Sequence, residues 1–234
     1  MTIKENIDSI LEKTASAAKR SGRALEDITV IAVSKTVDAD RAREAVEGGL
    51  INLGENRVQE LVSKYEQLPD LDIKWHLIGH LQKNKVKYII DKAAIIHSVE
   101  NIELANEINK RAMQHNLIAN VLIELNIGEE ESKFGIDEKS VYDFVKSMEQ
   151  FENIKVLGLM TVAPYCENPE EIRWVFKKMK EIFDEISDMK LKNTEMKYLS
   201  MGMTNDFEIA IEEGANIIRI GTAIFGARKY KEEE

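Results

Sequence analysis

Ile3, Ile7, Ile10, Leu11 and Ala18 recur at helical spacing ahead of Ser21-Gly22, which predicts one amphipathic helix at the start of the chain. The next apolar run, Ile28-Thr29-Val30-Ile31-Ala32-Val33-Ser34-Lys35, is short and rich in β-branched residues, so it reads as a strand. Strand-like and helical segments then alternate. Residues 51–54 precede a helical 58–67, 73–79 precede 84–91, 93–98 precede 102–115, and 121–126 precede 138–149. Residues 156–161 precede 170–189, 197–201 precede 206–213, and a last strand-like run covers 217–221. The count is eight strands, each of the first seven followed by a helix, with no low-complexity linker. Strict alternation of this kind implies parallel strands joined by helical crossovers.

Two architectures satisfy that pattern, a closed (β/α)₈ barrel and an open doubly wound sheet. Eight repeats in 234 residues suit the barrel, whose usual size is about 250 residues. A dinucleotide-binding sheet wants a glycine-rich turn after its first strand, and Ser34-Lys35-Thr36-Val37-Asp38 has no glycine. The expected fold is therefore α/β, a single (β/α)₈ TIM barrel with an extra N-terminal helix. Its one domain covers residues 1–229, and residues 230–234 form a solvated tail. In such a barrel every strand delivers its C-terminal end to one rim, and closure makes the first strand the neighbour of the eighth. Lys35 then lies beside the loops after strands seven and eight, the usual phosphate-binding loops of this fold.

Composition narrows the function. At 44% hydrophobic and 32% charged, without an apolar run long enough to span a bilayer, the chain reads as neither disordered nor membrane-embedded. A net charge of −10 argues against nucleic acid as a partner. The N-terminus lacks the apolar stretch of a secretory signal and Cys166 has no internal disulfide partner, so a cytoplasmic location is expected.

Lys35 is the candidate nucleophile. Two-residue alternation puts Ile31, Val33 and Lys35 on one strand face. A lysine at a buried strand end is a plausible amine for an aldehyde, its bland alternative being a surface lysine just past a strand. Strand seven ends Ser200-Met201-Gly202-Met203-Thr204-Asn205-Asp206 and strand eight ends Arg219-Ile220-Gly221-Thr222. Each is a hydroxyl and a glycine ahead of a helix. Alone each is more simply a helix cap, and together on neighbouring strands they favour a phosphate monoester. Arg219 alternates with Ile217 and Gly221 and should face the interior, where it needs a ligand or a carboxylate partner. Asn56 either caps the following helix or reaches a ligand. His76 and His80 are four apart but straddle a strand end, which disfavours zinc. His97 and His115 have no spacing partner and read as structural or solvated, and no nearby His or Asp activates Cys166.

With these features on one rim, the chain resembles the pyridoxal phosphate homeostasis proteins, single-domain barrels similar to the N-terminal barrel of alanine racemase. The matching stretches are Ala32-Val33-Ser34-Lys35, Gly54-Glu55-Asn56-Arg57-Val58-Gln59-Glu60, Trp75-His76-Leu77-Ile78-Gly79 and Leu81-Gln82-Lys83-Asn84-Lys85. Gly158-Leu159-Met160-Thr161, Ser200-Met201-Gly202-Met203 and Arg219-Ile220-Gly221-Thr222-Ala223-Ile224-Phe225-Gly226 complete them. They run from near residue 30 to residue 226 and so span essentially the whole chain. The resemblance implies that pyridoxal 5'-phosphate is held as an aldimine of Lys35. It further implies that Ser200, Gly202, Gly221 and Thr222 lie at the phosphate, that Arg219 faces the pyridine nitrogen, and that Asn56, Met201 and His76 are nearby. Thr204 stands where a serine is common and Arg57 where an aromatic is common. An arginine at the ring nitrogen weakens carbanion stabilisation, and the chain ends about eight residues after Gly226, too soon for the racemase's second domain. The implied role is a carrier or reservoir in vitamin B6 homeostasis, with PLP-dependent apoenzymes as possible recipients and a monomer as the simpler state. An amino-acid racemase is the runner-up, and a Schiff-base aldolase acting on a phosphorylated sugar is a third reading.

Overall fold

The computed structural model describes residues 1–127 and 134–226. The eight strands are β1 (Thr29–Val33), β2 (Asn52–Glu55), β3 (Lys74–Leu77), β4 (Ala93–Val99), β5 (Ala119–Leu125), β6 (Ile154–Thr161), β7 (Thr194–Ser200) and β8 (Ile217–Ile220). They close into a parallel barrel in sequence order, with β8 returning to β1 at the register Ile31↔Arg219. The open sheet is excluded.

The helices are α1 (Ile3–Arg20), α2 (Ala39–Glu47), α3 (Val58–Gln67), α4 (Ile102–Gln114), α5 (Val141–Ser147), α6 (Arg173–Asp188), α7 (Phe207–Glu212) and α8 (Thr222–Phe225). Helix α1 starts at a capping box, in which Thr2 and Glu5 satisfy each other's backbone N–H groups, and it buries Ile3, Ile7, Ile10, Ala17 and Ala18. The main core lies between strands and helices, while Ile31, Val33 and Ile217 fill the barrel interior with Ile78 and Tyr198. Ile31 and Val33 thus share the inward face that alternation assigns them. At Gly158 φ is +143°, and a Cβ there would stand 1.8 Å from the Tyr198 carbonyl oxygen, so β6 and β7 approach only because this residue has no side chain.

Several boundaries differ from the sequence expectation. β1 ends at Val33, so Lys35 sits in the turn beyond the strand. Helix α2 buries only Ala42 and Ala45, too weak an apolar stripe to delimit from sequence. Residues 84–91 do not form an α-helix. A 3₁₀ helix, Lys83–Tyr88, takes their place with Val86 as its one buried residue, because three lysines leave no apolar stripe to pack. The expected helix 138–149 begins only at Val141 and finishes in 3₁₀ geometry, Met148–Gln150. β7 starts three residues earlier than expected, at Thr194. The expected tail at 230–234 lies outside the described residues.

Candidate cofactor site

The turn carrying Lys35 is fixed from three sides. Ser34, directly before it, donates from its hydroxyl to Glu55 Oε1 (2.6 Å), and Lys64 Nζ donates both to the Ser34 carbonyl (2.6 Å) and to Glu55 Oε1 (2.5 Å). All three residues are buried. Burial pushes the Glu55 carboxyl up, against the opposing pull of Lys64 and Ser34. One residue past the lysine, Thr36 has φ +63°, a left-handed conformation unusual for a β-branched residue, and its N–H donates to Glu60 Oε2 at 2.8 Å. The lysine itself is half-buried.

Closure brings the loop after β8 alongside. Lys35, Gly221 and Thr222 line one cavity of about 580 Å³ with Val33, Arg41 and Phe225. Gly221 precedes α8 without a side-chain cap, and Thr222 is exposed. In the loop after β7, Gly202 has φ +94°, and a Cβ would lie 2.7 Å from Ala210 Cβ. That glycine lets the loop turn tightly over α7. Asp206 occupies the N-cap position of α7 but its side chain makes no capping bond: Oδ1 accepts instead from the Met203 N–H at 2.5 Å, closing the loop on itself. Burial raises its carboxyl.

Arg219 points into the barrel, as alternation requires, and is only 4% exposed. Nη1 donates to Ser200 Oγ and Nη2 to the Thr161 carbonyl, both at 2.7 Å. Among the described residues it forms no ion pair, so the buried carboxylate partner weighed from the sequence is not there. Asp206 and Glu124 act on it only through space. Burial lowers the guanidinium to about 10, still charged at neutral pH. Ser200, placed at a phosphate by resemblance, turns its hydroxyl inward instead, to Arg219 and to His97 Nδ1 at 3.1 Å. His97 Nε2 meets His76 Nδ1 at 3.0 Å, and His76 Nε2 meets Asn52 Oδ1 at 3.1 Å. His76 is therefore inside the barrel, and Met201, the first residue of the loop after β7, is fully buried. His80 leaves this line, pairing with Glu100 at 3.0 Å and stacking on Phe134. Asn56 does not cap α3. Its buried Oδ1 has no partner among the described residues, and it lines a neighbouring cavity with Arg57 and His80.

The sequence reading took His97 as structural or solvated and gave Glu55, Lys64 and Glu124 no role of their own. One signal was available for His97, which follows Ile95 by two in a largely apolar strand and so takes the same face as Ile95. Glu55 and Lys64 are nine apart on different elements, and only packing joins them.

The donor set fits a phosphorylated pyridine aldehyde. A half-buried amine shares a cavity with the glycine-bearing loop after β8, and the loop after β7 meets β8 through the Gly202 carbonyl. A buried guanidinium has donors beyond the two in use, and a buried amide oxygen lacks a partner among the described residues. No cluster of ligands that could hold a metal occurs among the described residues.

Comparison with known proteins points the same way. Residues 6–229 match the alanine racemase N-terminal domain. The chain is 47% identical over 226 residues to the pyridoxal phosphate homeostasis protein of Aquifex aeolicus, covering 97% of this chain and 98% of the relative. It is 34% identical to the protein of the same name from Escherichia coli K12, covering 99% of each. The structure of PipY from Synechococcus elongatus with PLP bound superposes with a TM-score of 0.84 at 30% identity, over 96% of this chain and 100% of that one. An alanine racemase of Clostridium difficile shares the fold alone, at 16% identity and a TM-score of 0.73 over 97% of this chain and 58% of that one. With the closed barrel and the lysine, glycine and arginine positions already in place, these full-length matches show that the chain belongs to the pyridoxal phosphate homeostasis protein family.

Proposed function

We infer that the protein holds pyridoxal 5'-phosphate on Lys35 and serves the homeostasis of that cofactor as a carrier or reservoir. The observation that carries this reading is the shared cavity of Lys35, Gly221 and Thr222 at the seam where β1 meets the strand of Arg219. When bound, the cofactor supplies an aldehyde carbon open to attack by an uncharged amine. The clamp on Ser34 and the left-handed Thr36 hold the lysine backbone on the rim, which limits the freedom lost on capture. Gly202 and Gly221 would let backbone approach the phosphate and Thr222 would offer a hydroxyl, with the buried Met201 next to Gly202 in the chain. Asn56 donates or accepts at the ring edge.

Arg219 is assigned to the ring nitrogen. A guanidinium has no lone pair and stays charged, so it donates to that nitrogen without protonating it, which weakens the ring as an electron sink. A holding role tolerates this and most amino-acid chemistry does not. The racemase alternative is not favoured, since the curated relatives carry the homeostasis name and the racemases share only the fold. One domain over 1–229, a cytoplasmic monomer and hand-over to apoenzymes complete the proposal. No helix among the described residues is long and apolar enough to cross a membrane.

Borohydride reduction followed by intact mass tests the assignment on the native chain and on Lys35→Ala. The expected result is a fixed pyridoxyl adduct on the native protein alone. Equal labelling of both, or of neither, overturns it.

A further inference from the structure

We propose that His97, backed by His76, is a positioning residue: through Ser200 it fixes the orientation in which Arg219 faces the cofactor's ring nitrogen. This rests on the assignment of Arg219 above.

The direction of the hydrogen bonds follows from the one group that can only donate. Arg219 Nη1 gives a hydrogen to Ser200 Oγ, leaving the serine hydroxyl to donate its own. Among the described residues the one other group within hydrogen-bond distance of Oγ is His97 Nδ1, so this buried hydroxyl hydrogen finds an acceptor only where Nδ1 is unprotonated. A neutral imidazole with a bare Nδ1 carries its hydrogen on Nε2, and that hydrogen points at His76 Nδ1. The same logic makes His76 the Nε2–H tautomer, donating to Asn52 Oδ1. Five side chains on β2, β3, β4, β7 and β8 form a one-way chain across the barrel interior, ending on an amide carbonyl. Each of its four links pairs one donor with one acceptor, and a buried polar network whose links are matched in this way holds its members in place.

The chain requires both histidines to stay neutral. Burial holds each below its ordinary value, His76 at about 4, reinforced by Lys74 on its own strand and, for His97, by His76 and Arg219. Glu124 and Asp206 face Arg219 without a hydrogen bond to it among the described residues, so they bias its charge but do not fix its plane. That plane is set by Ser200 and the Thr161 carbonyl.

Two measurements test this. The first needs no cofactor: ¹⁵N chemical shifts of the imidazoles in the native protein. Both histidines are expected as neutral Nε2–H tautomers at neutral pH, and Nδ1–H on either one reverses the chain and overturns the proposal. The second reads the ring nitrogen of ¹⁵N-labelled pyridoxal phosphate on the loaded protein, with borohydride labelling of Lys35 run alongside. In the native protein the signal is expected at the unprotonated value across neutral pH. His97→Leu removes the acceptor for Ser200, and its signal is expected to move toward the protonated value as pH falls. His97→Asn puts an amide oxygen where Nδ1 stood and is expected to restore the native signal. If His97→Leu keeps the native signal while Lys35 still labels, the positioning role is wrong. If Lys35 of the native protein does not label, the cofactor assignment fails instead, and the tautomers alone decide whether the chain exists.

Discussion

Glu124 projects from β5 into the barrel, is 8% exposed, and leaves Oε2 without a partner among the described residues. Burial foremost, then the charge of Glu100, raises its carboxyl from 4.5 to about 7, against the pull of Arg219. A folded-state value above the unfolded one means that the protonated form stabilises the fold. The contribution is complete below pH 4.5 and is lost as pH rises through about 7, at most about 3 kcal/mol in all. Glu124→Gln should flatten this part of the stability profile, as measured by denaturant unfolding at several pH values. Profiles that stay parallel to the native one would refute it. His76 acts with the opposite sign. Its value falls from 6.5 to about 4, so its contribution is complete above pH 6.5 and is lost as pH falls through about 4. His76→Gln should accordingly soften the loss of stability on the acid side.

Two features decide how the elements present the rim. The first is the Lys64–Glu55 pair, which ties α3 and β2 to the residue preceding Lys35. Removing one partner of a buried pair leaves an uncompensated charge, which costs about 3–5 kcal/mol. Lys64→Met alone should destabilise by that order and slow covalent capture at Lys35. Lys64→Met with Glu55→Leu should recover much of the stability but not the capture rate, because the hold on Ser34 stays lost. Chemical unfolding and the rate of absorbance change on adding pyridoxal phosphate separate the two effects. The second feature is Gly202. Gly202→Ala combines a positive φ with a 2.7 Å clash against α7, and should cost about 1–3 kcal/mol. It should also weaken phosphate binding, read by equilibrium dialysis. Unchanged affinity would remove this loop from the phosphate site. At this scale the sequence was readable where apolar periodicity is strong: the expected 58–67 coincides with α3, Val58–Gln67. It was not readable at Lys83–Tyr88, where a lysine-rich segment gives no period at all.

At the scale of the molecule, α1 closes the outside of the barrel beneath the last two helices. Asn6 Nδ2 donates to the Ile224 carbonyl of α8 at 2.9 Å, and Arg20 bonds Glu208 and Glu212 of α7. Arg173 adds the half-buried Glu212 and Glu213 and the exposed Glu170, the last a kind of pair that contributes little individually. The weight falls on the buried face instead, where Ile7 is fully buried. Ile7→Ala should destabilise the protein by about 2–5 kcal/mol in thermal or chemical unfolding. Loss of that packing should also loosen the Gly221-Thr222 loop, since α8 rests on α1. Wild-type stability in this variant would show that the N-terminal helix is an accessory to the barrel.

The sequence by itself determined eight alternating strand–helix units and the inward face of Arg219, because both follow from local alternation. It favoured the closed barrel by length, and closure, which sets β8 beside β1 and Lys35 on the rim, was decided against the open sheet by the structure. It also marked the two glycine-bearing loops, since turn chemistry is written in neighbouring residues. Only the tertiary structure decided what those groups touch. Asn52, His76, His97, Ser200 and Arg219 come from five strands, and no spacing rule predicts side-chain contacts across a barrel interior. The inward turn of the Ser200 hydroxyl, the Lys64 clamp and the upward shift of the Glu124 carboxyl arise from burial and distance among residues far apart in sequence. Those quantities exist only once the chain has closed.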